Sequence, residues 1–83
     1  MYYVYILECR DNTLYTGITK DINKRLFEHN NTEKGAKYTK NRRPVKLVYF
    51  KDFPDRSSAS KEESRIKKLS KIEKQEIISK TIF

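Results

Sequence analysis

The sequence predicts a small mixed α/β domain. Three features indicate this fold class: large apolar or aromatic residues from Tyr2 to Leu7, a short polar turn soon after them, and apolar residues at helical spacing further along the chain. The 83 residues are enough for one domain and not for two. We therefore expect residues 1–83 to form one domain with a compact core.

Two strands are predicted to form a hairpin at the start of the chain. Residues 2–9 are rich in β-branched and aromatic residues, and both faces of this strand are apolar. Such a strand suits the centre of a sheet that is covered on both sides. Residues 10–13 form a polar turn and residues 14–19 a second strand. Because the connection is short, the two strands are expected to pair antiparallel.

A helix and a loop are predicted next. The side chain of Asp21 can accept from the free amides of a first helical turn, so a helix is expected from there to about Asn30. Ile22 and Leu26 form the apolar side of this helix. Residues 30–44 are polar and are predicted as a loop.

The rest of the chain is predicted as one strand and two helices. Residues 45–50 form the strand, which Pro54 and Asp55 follow and break. In it, Val45, Leu47 and Tyr49 alternate with Lys46, Val48 and Phe50. Ser57 or Ser58 is expected to cap the next helix, whose inward stripe is Ala59, Ile66 and Leu69. Residues 70–73 match a capping box, which predicts that a third helix begins there.

Charge points to a polyanionic partner. The formal net charge is +8, from 19 Lys and Arg against 11 Asp and Glu, which suits nucleic acid or an anionic membrane surface. We expect no membrane partner, because no apolar stretch is long enough to span a bilayer and the first residues do not resemble a signal peptide. One cysteine and one histidine exclude an internal disulfide and a Cys/His zinc site. A cytoplasmic location is expected.

The hairpin carries the first candidate site residues. Pairing around the turn can bring the phenols of Tyr5 and Tyr15 close together. Gly17, inside the second strand, indicates a close approach by backbone or ligand. The simpler interpretation is a cross-strand aromatic pair that stabilises the hairpin.

Arg25 and His29 are four positions apart and share a face of the first helix. A guanidinium can hold a phosphate through two parallel hydrogen bonds, and an imidazole can relay a proton. The alternative is a solvated face on which Lys24 pairs with Glu28.

Glu62 and Glu63 lie near the border of the inward stripe of the second helix. A carboxylate there should be paired, protonated or bound to metal, because an isolated buried charge is costly. The alternative is an ion pair of Glu63 with Lys67. Helix geometry does not choose between the two glutamates.

The segment from Lys34 to Lys46 is basic and contains no acidic residue. Cations interleaved with an aromatic side chain suit a nucleic-acid backbone and its bases or sugars. The expected contacts are Lys37, Tyr38, Lys40, Arg42, Arg43 and Lys46. The alternative is a loop that is merely soluble.

In combination these motifs resemble the GIY-YIG nuclease family. Its two triads match Tyr3-Val4-Tyr5 and Tyr15-Thr16-Gly17, and its next motif matches Arg25, His29 and Asn30 at suitable spacing. Its last motif matches Ala59, Glu63, Ile66 and Lys67. This last match selects Glu63 over Glu62. Residues 38–39 and 43–49 also resemble a branch of small stand-alone bacterial members, the UPF0213 proteins. Tyr3 and Thr16 depart from the family pattern at positions that supply no catalytic side chain.

The resemblance implies a three-stranded antiparallel sheet with the first strand central, flanked by about three helices. It also implies an endonuclease that hydrolyses phosphodiester bonds, with DNA favoured over RNA and repair or recombination as a setting. One divalent ion, Mg²⁺ or Mn²⁺, would be held by Glu63. Tyr5 would accept a proton from the attacking water, Tyr15 and His29 would position that water or relay its proton, and Arg25 would offset charge on the phosphate.

Two other functions fit the same sequence. A non-catalytic nucleic-acid-binding module would explain the charge, although it would leave the polar set without a role. An adaptor that docks on an acidic protein or an RNA assembly is the third interpretation.

Overall fold

The computed structural model describes residues 1–32 and 34–80. The elements are β1 (Tyr2–Glu8), β2 (Leu14–Thr19), α1 (Ile22–Asn31), α2 (Lys37–Lys40), β3 (Lys46–Phe53), α3 (Arg56–Lys67) and α4 (Lys71–Ser79). β1 lies between β2 and β3 and pairs antiparallel with both. This confirms the predicted three-stranded sheet with a central first strand. No helix in the described ranges is long and apolar enough to cross a membrane.

The strand β1 is buried on both faces, as its sequence predicts. On one face Val4 and Ile6 pack against Ala59 and Ile66 of α3, and Ile77 of α4 joins them. On the other face the cluster contains Tyr5, Leu7, Cys9 and Val45, with Leu26 of α1 packed against it. Full burial of an aliphatic side chain stabilises a fold by about 1.5–3 kcal/mol, so the two clusters fix helices on both sides of the sheet.

The third strand differs from the prediction in length and in facing. It runs to Phe53, and its pairing with β1 contains a bulge, since Ile6 pairs with Tyr49 whereas Leu7 pairs with Leu47. The extra residue, Val48, shifts the alternation by one position. Leu47 therefore packs with the α1 face, while Val48 and Tyr49 both join the α3 face. The predicted alternation of Leu47 with Tyr49 on one face is wrong for this reason.

Local capping chemistry sets most helix starts. The Asp21 carboxylate accepts from the Lys24 amide at 3.1 Å, and Ser70 and Glu73 form the predicted capping box. The prediction of Ser57 or Ser58 as a cap is wrong. Asp55 caps α3 instead, accepting from the Ser58 amide at 2.8 Å, because its carboxylate already satisfies the free amides one turn ahead.

The segment predicted as an irregular loop contains a short helix, so the described residues hold four helices. The Ala36 carbonyl accepts from the amides of Thr39 and Lys40 at 3.0 and 3.2 Å, which closes the single turn of α2. This turn contacts α1 and buries Thr39 completely. The polar composition of the segment did not reveal that one of its residues belongs to the interior.

Candidate active site

The aromatic residues of the hairpin meet on the face of the sheet that α1 covers. Tyr5 pairs with Gly17 across the strands, and Leu7 pairs with Tyr15, so the two tyrosines are diagonal neighbours with ring centroids 6.5 Å apart. The Tyr5 side chain passes directly over Gly17. A Cβ atom at position 17 would lie 2.6 Å from the Tyr5 hydroxyl and 2.7 Å from Cζ. Only glycine lets the tyrosine lie in this position.

His29 is the partner of the Tyr5 hydroxyl. The two residues are 24 positions apart in sequence, yet Tyr5 Oη and His29 Nε2 form a buried hydrogen bond of 2.9 Å. The Tyr15 ring lies edge-on to the imidazole, with centroids 5.2 Å apart. His29 is 0% exposed, so the alternative of a solvated helix face does not hold for it.

Burial sets the protonation of both residues. It lowers the pKa of His29 from 6.5 to about 4, assisted by the charge of Arg25, so the imidazole is neutral at pH 7. Burial also raises the pKa of Tyr5 to about 12, although Arg25 opposes the effect. In the chain itself, desolvation of the phenol therefore outweighs the nearby cation. A neutral imidazole beside a neutral phenol is a pair that can exchange one proton.

Arg25 extends from α1 beside this pair. Its Nη1 donates to the Glu28 carboxylate at 3.1 Å and to the Lys34 carbonyl at 2.7 Å. The predicted surface pair of Lys24 with Glu28 is thus replaced by Arg25 with Glu28. A guanidinium has five N–H donors, and both of these bonds leave from one nitrogen.

The structure separates the two glutamates of α3. Burial is the largest cause of the raised pKa values of Tyr5 and Tyr49. The charge of Glu63 adds to the rise for Tyr5, and the charge of Glu62 adds to the rise for Tyr49. Glu63 pairs with Lys67 at 3.2 Å and its side chain is 22% exposed. Glu62 makes two bonds to Arg65, at 2.7 and 2.8 Å. Glu63 is therefore the α3 glutamate whose charge acts on Tyr5, and it lies in an ion pair of the kind that the simpler interpretation predicted.

The fit of a divalent ion depends on this one carboxylate. Within residues 1–32 and 34–80 there is no group of three or more His, Cys, Asp and Glu side chains that could enclose a metal. Mg²⁺ often uses only one or two carboxylates and completes its shell with water and phosphate oxygens. The partly exposed Glu63 fits an ion of that kind and not a closed structural site.

The basic segment is more ordered than predicted. The Tyr38 ring stacks on Tyr15 at a centroid distance of 5.9 Å, and the Arg42 guanidinium lies 4.1 Å from the Tyr38 centroid. Arg42 also pairs with Asp11 at 3.0 Å. Tyr38 thus connects the site to the surface, but two protein side chains already engage its ring.

Arg43 points inward. Its Nε donates to the His29 carbonyl at 2.6 Å, and its Nη2 donates to the carbonyls of Thr32 and Glu28. These carbonyls belong to the end of α1, where a helix has acceptors without intrahelical partners. This position makes Arg43 a helix-capping residue and leaves it out of the interface proposed below.

The remaining lysines of the segment are at the surface. Lys37 and Lys40 are exposed on α2, next to Tyr38. Lys46 is exposed too, and it pairs with Glu8 at 3.1 Å. Among the cations predicted to contact nucleic acid, Lys37, Lys40 and Arg42 are the closest to Tyr38 along the chain.

Sequence reasoning missed Thr39 as a site residue. Its Oγ1 lies 2.8 Å from His29 Nδ1, on the opposite side of the ring from Tyr5. A small hydroxyl residue within an otherwise basic segment was the available signal.

Comparisons with known proteins agree with this architecture. The family model of the GIY-YIG catalytic domain matches residues 1–76. A UPF0213 protein of Syntrophus aciditrophicus is 58% identical over 76 residues, which cover 92% of this chain and 87% of that protein. One of Staphylococcus saprophyticus is 53% identical over 78 residues, 94% of each chain.

Two solution NMR structures are similar as well. The UPF0213 protein of Bacillus halodurans is 44% identical, with a TM-score of 0.61 over 95% of this chain and 84% of that one. A protein from E. faecalis is 40% identical, with a TM-score of 0.65 over 94% and 82%. The family motifs lie on β1, β2, α1 and α3, and the relatives match over most of their length. The chain therefore belongs to the GIY-YIG family and to its small UPF0213 branch.

Proposed function

We propose that this protein is an endonuclease that hydrolyses phosphodiester bonds in DNA with one divalent metal ion. The observation that carries the proposal is the buried hydrogen bond between Tyr5 and neutral His29, where the charges of Arg25 and Glu63 act on the Tyr5 phenol. The family match to a catalytic domain supports the reaction class.

Proton transfer from water is the role of the Tyr5–His29 pair. As Tyr5 receives a proton from the attacking water, its own proton passes to His29 Nε2, 2.9 Å away, and the imidazole becomes positive. This transfer avoids a free phenolate, which the raised pKa of Tyr5 makes rare at pH 7. Because burial lowers the pKa of His29 to about 4, the imidazolium must be stabilised by the negative charge of the bound phosphate. Tyr15, edge-on to the imidazole, restricts where the water can lie.

Charge on the phosphate is handled by two groups of the chain. Arg25 offers N–H donors to its oxygens, which stabilises the charge that develops during attack. Glu63 would hold one Mg²⁺ or Mn²⁺ ion, exchanging its bond to Lys67 for the metal. When bound, such an ion supplies Lewis-acid activation of the phosphate and stabilises the leaving oxygen.

Binding of the polyanion rests on the net charge of +8 and on the exposed lysines of α2. Lys37 and Lys40 lie on the same short helix as Tyr38, whose ring stacks on Tyr15 of the site. Phosphates bound by these lysines would lead the strand toward Tyr5. Such contacts should weaken as salt increases.

The test is cleavage of single-stranded, nicked and branched DNA by the purified chain with Mg²⁺, and then with EDTA. We expect cleavage that EDTA removes. Tyr5→Phe should lower the rate about 100- to 10,000-fold and retain binding, since general base catalysis contributes about that factor. Glu63→Gln should abolish metal-dependent cleavage.

Two matched variants serve as controls. Tyr3→Phe removes a phenol from the same strand, and Glu62→Gln removes the neighbouring carboxylate of α3; both should cut DNA like the parent. If Tyr5→Phe or Glu63→Gln cuts as fast as its control, the corresponding role is refuted.

A second candidate is a non-catalytic module that binds nucleic acid. The low exposure of Tyr5, 3%, and the ion pair of Glu63 with Lys67 favour it, because both groups must become accessible for catalysis. Salt-sensitive binding without cleavage in any of the metal ions tested would support this function.

A further inference from the structure

Thr39 is a fully buried polar residue that contacts the imidazole of His29. It lies on α2 and is 0% exposed. Its Oγ1 is 2.8 Å from His29 Nδ1 and 2.9 Å from the Ala36 carbonyl oxygen. Both are good hydrogen-bond distances; the Ala36 carbonyl belongs to the turn of α2, and His29 lies on α1.

The single hydroxyl proton of Thr39 determines the direction of both bonds. A carbonyl oxygen can only accept, so the bond to Ala36 uses the Thr39 proton. Toward His29, the same oxygen can then only accept, which requires a proton on Nδ1. In a neutral imidazole the other nitrogen, Nε2, is then without a proton and can accept from Tyr5.

We propose that Thr39 is a positioning residue, whose hydroxyl oxygen holds the His29 proton on Nδ1 and so leaves Nε2 free to receive the Tyr5 proton. The role of these hydrogen bonds in catalysis rests on the proposed nuclease function, but the tautomer of His29 does not depend on that function. The chain of bonds runs from Tyr5 through His29 and Thr39 to the Ala36 carbonyl, with a donor and an acceptor at each step.

One contact competes with this assignment. The Ala36 amide points at Nδ1 from 3.4 Å, and it would favour an unprotonated Nδ1. At 3.4 Å this amide-to-imidazole contact is long for a hydrogen bond, whereas Thr39 Oγ1 lies 2.8 Å from Nδ1. The 2.8 Å bond between Thr39 and Nδ1 fits either direction by its length, so the proton on Nδ1 follows from the use of the Thr39 proton by the Ala36 carbonyl.

The test is the tautomer of His29 in solution. Because the chain has a single histidine, a long-range ¹H–¹⁵N correlation spectrum of the untagged, ¹⁵N-labelled, metal-free protein at pH 7 reports this ring alone. We expect a protonated Nδ1 and an unprotonated Nε2. A ring protonated on Nε2, or a mixture of both tautomers, overturns the proposal.

Variants at position 39 separate positioning from packing. Thr39→Ser keeps the hydroxyl and should keep the Nδ1-protonated form, whereas Thr39→Val keeps the volume without an acceptor and should lose it. Retention of the pure Nδ1-protonated form in Thr39→Val overturns the proposal. If Thr39→Val does not fold, the spectra of the parent and of Thr39→Ser still decide.

Activity provides a separate readout. Thr39→Val should lower kcat about 10- to 100-fold with KM unchanged, as is typical for groups that orient a reacting side chain, and Thr39→Ser should restore it. Absence of cleavage in the parent refutes the nuclease function and leaves the tautomer assignment standing. The opposite tautomer in an active parent refutes the role of Thr39 and the transfer of the Tyr5 proton to Nε2, but not the nuclease function.

Discussion

Lowering the pH from 7 to 4 should destabilise this fold through His29. In the unfolded chain the imidazole binds a proton near pH 6.5, whereas in the fold burial lowers its pKa to about 4. Between these values the unfolded state binds more protons than the folded state, so protons favour unfolding. The stability from burying neutral His29 is complete above pH 6.5 and is lost as the pH falls toward 4.

The magnitude follows from the same two values. Each tenfold difference in proton affinity is worth about 1.4 kcal/mol, so a pKa of about 4 instead of 6.5 corresponds to about 3 kcal/mol. This is a large part of the roughly 5–15 kcal/mol that stabilises a typical domain. The residue is 0% exposed, so solvent does not screen the effect.

Urea denaturation at a series of pH values, followed by circular dichroism, measures the loss. Carboxylates with lowered pKa values, such as Glu62, also lose stabilising interactions at acidic pH, so His29→Gln is the control. Between pH 6.5 and 5 the parent should lose free energy of unfolding that the variant does not. Parallel pH profiles of parent and variant, or an NMR titration of folded His29 near pH 6.5, would refute the reasoning.

Three further predictions follow from the packing. Gly17→Ala places a methyl group against the Tyr5 ring and should cost about 1–3 kcal/mol in urea denaturation; additivity with Tyr5→Phe in a double-mutant cycle would contradict this clash. Arg43→Met removes the donors to the last carbonyls of α1 and should lower the free energy of unfolding by about 2 kcal/mol. The salt dependence of DNA binding should not change; a lower salt dependence would show that Arg43 contacts DNA. Asp55→Ala should cost about 1 kcal/mol as the loss of a helix cap, and Ser57→Ala, its control, should cost almost nothing.

The accuracy of the sequence predictions depended on how local the interactions were. Asp21 and Ser70 were predicted as caps because their partners are three residues away. The bulge at Val48 could not be predicted, because it exists only relative to β1, about 40 positions earlier. Asp55 was missed because three neighbouring residues could all accept from a helical amide, and the chain path after Pro54 selects among them.

The candidate site divides in the same way. Its residue types and spacing were readable, and the motif selected Glu63 where helix geometry left two glutamates. The alternative of Arg25 and His29 on a solvated face followed equally well from spacing, and only the packing of α1 against the sheet and α2 excludes it for His29.

By itself, the sequence determined the family, the doubly covered first strand and the hairpin, and it supplied the polar groups of the candidate site. Tertiary structure alone decided that Tyr5 bonds His29, that Thr39 lies behind the imidazole, and that Arg43 points inward. The physical reason is that desolvation and long-range hydrogen bonds depend on what covers a side chain. The pKa of about 4 for His29 comes from burial beneath segments that no local pattern connects to it.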